Sequence, residues 1–198
     1  MKLQYNAPVV LTFTLICSAV LLLDPITGDN LIKDFFTVYP EFNLAKPAWY
    51  LRLFTHVIGH GNWEHLVGNF TFILLLGPIL EEKYGSRDLL LMIVVTSFVT
   101  GILQVLVFDQ ALLGASGIVF MMILLSSITN FQGGIPITFV LVVILFLGKE
   151  VVNSFGTDNV SQFAHIIGGI LGGIFGFVLE DQKLKGRKKK DSKPLTSA

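Results

Sequence analysis

The sequence predicts an all-α membrane protein, a bundle of six transmembrane helices with a long, partly membrane-embedded loop between the first two. Composition is the first observation, because 53% of the 198 residues are hydrophobic, only 14% are charged and the mean hydropathy is +0.71. These values exclude an ordinary soluble domain. The second observation is a series of six apolar runs of helical length. The third is a basic C-terminal segment, which is typical of a cytoplasmic end.

The first apolar run covers residues 7–23 and follows Lys2. A signal peptide would end in a small-x-small cleavage site, and none follows this run. A lipoprotein site at Cys17 is not expected either, since Ile16 precedes it where a small residue is needed. We therefore expect a retained first helix. Because Cys17 is the single cysteine, the sequence also excludes a disulfide framework and a cysteine-based metal site.

Residues 24–55 predict a long loop with interfacial character. Prolines and glycine interrupt the apolar pattern there, and aromatic residues are frequent. Such aromatic side chains favour the headgroup zone of a bilayer, so we expect the loop to lie partly in the outer leaflet. The aromatic residues concerned are Phe35, Phe36, Tyr39, Trp49 and Tyr50.

Five further apolar runs complete the bundle, and an even number of spans returns the C-terminus to the side of the N-terminus. Residues 181–198 hold seven of the 14 Lys/Arg residues, which places both ends in the cytoplasm. We expect loops 24–55, 109–114 and 153–159 to lie outside. The five runs are 63–80, 89–108, 115–129, 135–152 and 160–179.

The predicted organisation is a membrane domain over residues 1–180 and a disordered basic tail over residues 181–198, in a bacterial cytoplasmic membrane. A basic run could bind nucleic acid. Directly after a membrane span, however, it more simply marks a cytoplasmic end that touches anionic lipid, so no nucleic-acid partner is expected.

The fourth span opens on a serine between glycines, Gly114-Ala115-Ser116-Gly117. A helix N-terminus favours nearby negative charge, and glycines let another backbone approach closely. From Ser116 to Thr129 a helix rises only ~21 Å against ~30 Å of hydrocarbon, so Ser116 is expected within the membrane depth but reachable from outside. A simple helix cap or packing site would use the same motif.

Polar residues occupy the start of the second span and the outer third of the sixth. His60, His65 and Asn69 are spaced five and four apart, and a helix from about Trp63 stacks the last two on one face. Polar groups in a span indicate a functional site, although hydrogen bonding between helices is the alternative. A metal site would need a third ligand at suitable spacing, which the pattern lacks.

In the sixth span, Gly168 and Gly172 follow His165 on one face and form a groove for another helix. That groove can bring His165 to Ser116. Serine needs an adjacent base to act as a nucleophile, and histidine is the commonest base. Asn69, His65 and the backbone N–H of Ser116 could stabilise an oxyanion. No carboxylate is expected at this depth, so the prediction is a Ser-His dyad.

These motifs together resemble the rhomboid family of intramembrane serine proteases. The resemblance runs over residues ~50–180 and includes Arg52-Leu-Phe-Thr55, H-x4-H-x3-N, Glu81-Glu-Lys-Tyr-Gly85-Ser86, G-x-S-G and Ala164-His165-x-x-Gly168-x-x-x-Gly172. It implies cleavage of membrane-spanning substrates without metal, nucleotide or another cofactor. The implied roles are Ser116 as nucleophile, His165 as base, His65 and Asn69 near the oxyanion, His60 as a hydrogen-bonding strut and Glu81 as a structural anchor. Gly114, Gly117, Phe120, Gly168 and Gly172 are the expected supporting residues.

Two positions depart from the family pattern. Some relatives have a tyrosine where this chain has Phe120, which can stack on His165 but cannot donate a hydrogen bond. The family often has a Trp-Arg pair in this loop, whereas here two residues separate the tryptophan from the arginine, in Trp49-Tyr-Leu-Arg52.

Two other functions fit parts of the sequence. A proteolytically silent relative would bind and retain membrane clients, but such relatives typically lack the serine or the histidine. A proton or ion carrier could use the histidines as a relay, but it would also need carboxylates within the membrane.

Overall fold

The structure is a computed structural model that describes residues 3–128, 134–148 and 160–191. Only the backbone is described at residues 160, 161 and 181–191. Within these ranges the chain is helical, and its β-structure is one isolated antiparallel bridge between Val38 and Leu112. The predicted all-helical class is therefore confirmed. Thr129, Asp158 and the predicted loop 153–159 lie outside the described residues.

The described ranges contain eight α-helices, numbered here in chain order. They are α1 (Pro8–Leu23), α2 (Leu31–Phe35), α3 (Pro47–Thr55), α4 (Trp63–Tyr84), α5 (Ser86–Val107), α6 (Ser116–Ser127), α7 (Ile137–Val142) and α8 (Val160–Asp191). A 3₁₀ turn, Asp24–Thr27, follows α1, and a π-helical stretch, Val143–Leu147, continues α7. A helix occupies each of the six apolar runs, as the sequence predicted.

In the described part of the chain, four helical stretches are long and apolar enough to cross a membrane, namely Pro8–Thr27, Trp63–Tyr84, Ser86–Val107 and Gln162–Glu180. The apolar helices Ser116–Ser127 and Ile137–Leu147 are shorter. At 12 residues, α6 rises ~18 Å, which is less than the ~30 Å of a hydrocarbon core. The count of six complete spans stays a prediction.

The segment between the first two spans contains two short helices rather than a continuous loop. Pro47 is the first residue of α3, where its missing N–H and fixed φ suit a helix start. The Arg52 Nε donates to the carbonyl oxygen of Asp34 at 2.7 Å, which ties α3 to α2. Trp49 Nε1 donates to the carbonyl oxygen of Glu41 at 2.8 Å. These tertiary contacts stabilise helices too short to form alone.

The core of the bundle surrounds α6. Its side chains at Ile118, Met121, Leu124 and Leu125 are fully buried, as expected for a helix that is apolar all round. It contacts α4, α5 and α8.

Small residues bring α6 and α8 into backbone contact. A Cβ built on Gly168 would clash with the carbonyl oxygen of Gly117, and one on Gly172 would clash with that of Met121. Only glycine permits this approach. The predicted glycine groove is therefore present, and α6 is the helix that fills it.

Glu81 is buried near the C-terminal end of α4. Its carboxylate accepts hydrogen bonds from the backbone N–H groups of Val9 (3.0 Å) and Val10 (3.1 Å) and from Ser86 Oγ (2.7 Å). It thereby satisfies free donors at the start of α1 and fixes α1 to the end of α4. Lys83 Nζ pairs with Glu180 Oε1 at 2.7 Å and ties α4 to α8.

The backbone of α8 continues as a helix to Asp191. It thus enters the segment where the sequence predicted a disordered tail from residue 181. Residues 192–198 lie outside the description, and the division between domain and tail stays a prediction.

Candidate active site

A cavity of about 470 Å³ opens at the end of the bundle where α4 and α6 begin. Its lining combines four predicted site residues with the loop that precedes α6. The lining residues are Glu64, His65, Gly68, Asn69, Gln110, Ala111, Leu112, Leu113, Ser116 and His165. Three separate helices therefore contribute polar side chains to one space.

Ser116 is the first residue of α6. The turn before it depends on Gly114, whose φ of +114° is accessible to glycine but not to ordinary residues. The Gly114 N–H donates to the carbonyl oxygen of His56 at 2.9 Å, which fixes this turn. No side chain caps α6, so its first N–H groups remain available at the cavity.

His65 lies against the same turn. A Cβ added to Gly114 would come within 2.6 Å of ring atoms Cε1 and Nε2 of His65, so glycine is also required by space. α4 is capped at this end because the Asn62 side chain accepts a hydrogen bond from the His65 N–H at 2.8 Å. This cap fixes the start of α4 and with it the position of the His65 ring.

Asn69 is held by a chain of hydrogen bonds. His60 Nδ1 lies 3.0 Å from the carbonyl oxygen of Ile58, which accepts only, so this nitrogen carries the proton and donates. His60 Nε2 must then accept from Asn69 Nδ2, at 3.0 Å. Burial lowers the pKa of His60 to about 4, which keeps the ring neutral in this arrangement. The second N–H of the Asn69 amide is thereby left for another acceptor.

His165 is brought to Ser116 by the α6–α8 contact. A Cβ on Gly117 would meet the carbonyl oxygen of Ala164 at 3.3 Å, so the residues next to Ser116 and His165 touch. The Phe120 ring stacks on the His165 ring, with centroids 4.4 Å apart and planes 5° apart. On its other side, Phe120 meets the edge of Phe146, at 6.3 Å and 79°. Packing of rings therefore sets the plane of the imidazole.

The remaining predicted residues lie outside the cavity. Gly117, Gly168 and Gly172 form the helix contact described above, and Glu81 is at the far end of α4. His60 lies behind Asn69, its ring 5.0 Å from that of His65. Within the described ranges, no group of three His, Cys, Asp or Glu side chains could hold a metal ion.

Several polar residues near the site were not singled out from the sequence. His56 holds Gly114 through its carbonyl oxygen, and its Nε2 lies 3.3 Å from Thr100 Oγ1. Gln104 Nε2 donates to the carbonyl oxygen of Gln110 at 2.9 Å and so fixes the loop that lines the cavity. His56 precedes His60 by four residues and could have been found by that spacing. Gln104 carries no such local signal, because its partner is a loop carbonyl.

The geometry suits acyl transfer. A hydroxyl and an imidazole open into one cavity, and the unpaired donors of a helix N-terminus and of an amide face the same space. A tetrahedral oxyanion requires donors that are fixed before the reaction, and the Asn69 amide meets that requirement.

Comparisons with known proteins identify the family to which the chain is similar. Residues 47–182 match the family profile of the Rhomboid domain. Over 188 residues the chain is 24% identical to the Rhomboid protease GlpG of Haemophilus influenzae, covering 92% of this chain and 95% of that protein. It is 29% identical over 119 residues to the Rhomboid protease GlpG of Klebsiella pneumoniae, covering 60% of this chain and 42% of that protein.

A third similarity is to the Rhomboid protease GluP of Bacillus subtilis, with 30% identity over 139 residues, 67% of this chain and 26% of that protein. The chain thus spans almost the whole length of the Haemophilus relative and less than half of the Klebsiella and Bacillus relatives.

Proposed function

This chain belongs to the rhomboid family, and from that membership we propose that it is an intramembrane serine endopeptidase that cleaves membrane-spanning protein substrates. Its four apolar helices of spanning length make it an integral membrane protein. In the proposed reaction Ser116 is the nucleophile and His165 the general base. The observation that carries the proposal is that Ser116, His165 and Asn69 line one cavity.

Acylation follows from the chemistry of these groups. His165 accepts the proton of the Ser116 hydroxyl as its Oγ attacks the carbonyl carbon of the scissile peptide bond. The carbonyl oxygen becomes an oxyanion, which accepts hydrogen bonds from the Asn69 amide, the backbone at Ser116 and His65. When the C–N bond breaks, His165 returns its proton to the leaving amine, and an acyl-serine remains.

Deacylation repeats the sequence with water. His165 takes a proton from a water molecule in the cavity while the hydroxide attacks the acyl carbon. The bond between the acyl carbon and Ser116 Oγ then breaks, His165 gives its proton to Oγ, and the new carboxyl terminus is released. A dyad leaves the imidazole without a carboxylate to orient it. The stack of Phe120 on His165 supports that orientation here.

Orientation in the membrane belongs to the proposal. The cavity lies at the end of the bundle opposite Glu81 and the Lys83–Glu180 pair, and α8 runs from the cavity end toward the basic residues. With the basic end in the cytoplasm, the cavity opens to the outside. A cysteine at Glu41 should then react with an impermeant thiol reagent on intact cells, whereas one at Lys189 should not. The reverse pattern would put the site on the cytoplasmic side.

The central experiment uses purified protein, a panel of single-span substrates and a fluorophosphonate. Ser116→Ala and His165→Ala should each lower cleavage by about 10⁴-fold or more, and the double variant should be little worse, because the two residues act as one unit. The fluorophosphonate should label Ser116 in the parent protein and in neither single variant.

Ser126→Ala is the matched control, since this serine is on the same helix and its hydroxyl bonds the Ile123 carbonyl oxygen at 2.8 Å. It should keep labelling and cleavage. Strictly additive losses, or labelling at Ser126, would reject the dyad. Binding of substrates without any cleavage would instead favour a client-binding protein.

A further inference from the structure

Among the residues that the structure describes, one charged side chain lines the proposed active-site cavity, and the reaction described above gives it no role. This residue is Glu64, in the first turn of α4, next to His65. The other lining residues are apolar, amide, hydroxyl or imidazole groups, with no lysine or arginine among them. A carboxylate therefore dominates the charge of this space.

No neighbouring side chain in the described ranges neutralises the charge of Glu64. In the part of the chain that the structure describes, an ion pair joins Lys83 to Glu180, at the other end of α4. The Glu64 side chain is exposed, and it has neither an ion pair nor a hydrogen bond with any residue that the structure describes. A substrate that enters the cavity would thus meet an unpaired negative charge.

Glu64 also has a plain structural use. Acidic residues in the first turn of a helix stabilise its N-terminus by about 0.3–1 kcal/mol, according to the general behaviour of helix dipoles. The Asn62 side chain already caps this end, however, and the carboxylate borders the cavity instead of packing against protein. A role at the helix end and a role in the cavity can be told apart by measurement. If Glu64 only stabilises the start of α4, replacing it changes stability and leaves the choice of substrate unchanged.

We propose that Glu64 is a specificity-determining residue that selects substrates with a lysine or arginine side chain in the stretch occupying the cavity and disfavours substrates with an acidic side chain there. The inference rests on the proposed function and names the substrate class of that site. The attraction is that of a half-solvated charge pair, so it should raise the rate for a cationic substrate about threefold to tenfold over a neutral one. Added salt should weaken it.

The test begins with a single-span substrate that the parent protein cleaves. Lys, Gln or Glu is placed in turn at each of the three positions on either side of the cut, and kcat/KM is measured for every substrate. At one or more positions the parent protein should prefer Lys over Gln over Glu, and that preference should shrink between 50 mM and 500 mM salt.

Variants of the enzyme then assign the preference to one residue. Glu64→Gln should bring the Lys-to-Gln rate ratio close to one, and Glu64→Lys should reverse it in favour of Glu. Glu82→Gln is the matched control, because Glu82 is exposed on the same helix but at its far end. It should keep the ratio of the parent protein.

A parent protein with no charge preference at any tested position would overturn the inference. So would a preference that Glu64→Gln leaves intact, even if that variant melts at a lower temperature. If the Glu64 variants fail to fold, the salt dependence of the charge preference in the parent protein tests the inference instead. A preference that does not change with salt cannot come from a solvated carboxylate and would overturn the inference. Failure of the proposed function is seen separately, as absent cleavage and absent fluorophosphonate labelling in the parent protein.

Discussion

Asn69 is buried, yet it borders the cavity, and the neutral His60 ring fixes its amide. One N–H is used by His60, so the other can serve an oxyanion. Asn69→Ala should lower kcat by roughly 10²-fold, the usual loss for one oxyanion donor. Asn69→Asp should be equally poor, because a carboxylate offers no donor and repels the developing charge.

The measurement for Asn69 is cleavage together with thermal unfolding. If Asn69→Ala melted far below the parent protein while its folded fraction cleaved normally, the residue would serve packing alone.

His60 makes stability depend on pH. Its folded pKa is lowered by burial to about 4, whereas an unfolded histidine titrates near 6.5. Between these values the unfolded chain binds a proton that the folded chain does not. Stability is therefore complete above about pH 6.5 and decreases toward pH 4, by at most about 1.4 kcal/mol per pH unit for each such histidine. Buried His56, with its pKa also lowered to about 4, adds to the same window.

The melting temperature in detergent should accordingly fall between pH 6.5 and 4, and it should fall less steeply in His60→Gln, whose side chain is neutral throughout. Identical slopes in the two proteins would mean that His60 is already charged in the fold.

At the residue scale, the spacing of polar residues in the sequence was enough to predict that several side chains share one candidate site. Ser116, His65, Asn69 and His165 are polar residues within apolar runs, and the cavity contains all four. Glu64 was not found, because a glutamate in a first helical turn looks like ordinary charge placement. The role proposed for Glu64 depends on its place in a cavity that is also lined by loop residues such as Gln110. Only the fold brings these loop residues near Glu64.

The contact of α6 with α8 can be tested at one glycine. Alanine normally stabilises a helix by about 1 kcal/mol over glycine. At Gly168, however, the added Cβ would clash with the carbonyl oxygen of Gly117, so the helices must separate, at a cost of about 1–3 kcal/mol. Gly168→Ala should therefore melt at a lower temperature and cleave slowly, because separation moves His165 away from Ser116.

Gly148→Ala is the matched control for that helix contact. Gly148 has helical dihedral angles, and a Cβ there would meet nothing within 4 Å. This variant should keep its activity and melt at the same temperature as the parent protein or slightly higher. If Gly168→Ala behaved like Gly148→Ala, the close approach of the two helices would not be needed.

At the element scale, the helices formed by apolar runs were predictable, whereas the short helices α2 and α3 were not. The apolar runs that form α4, α5 and α6 can be recognised from their composition alone. By contrast, α2 has five residues and α3 has nine, and both depend on distant partners such as the Asp34 carbonyl that accepts from Arg52. In the same way, no local sequence signal predicts the π-helical stretch that contains Phe146, whose ring contacts Phe120.

At the scale of the whole molecule, the cavity determines which peptide bonds the proposed reaction can cleave. A transmembrane substrate arrives as a helix whose carbonyl groups are hydrogen-bonded internally, so no peptide bond can be attacked until some residues unwind. In hydrocarbon each unpaired backbone group costs several kcal/mol. The cavity beside Ser116 is lined in part by hydroxyl, amide and imidazole groups, which can pair with exposed backbone groups of the substrate. In the proposed reaction, unwinding is therefore confined to the end of the substrate that reaches this cavity.

Glycine and proline near the cut should therefore control turnover. They weaken a helix by about 1 and 3 kcal/mol relative to alanine, so replacing them with leucine in a cleaved substrate should lower kcat by about fivefold to 100-fold. Binding should change less, because the apolar surface of the intact helix remains. The measurement is kcat for matched substrates with the parent protein, alongside capture of the same substrates by the Ser116→Ala protein. If a uniform polyleucine span were cut as fast as the original, the substrate could not be required to unwind before attack.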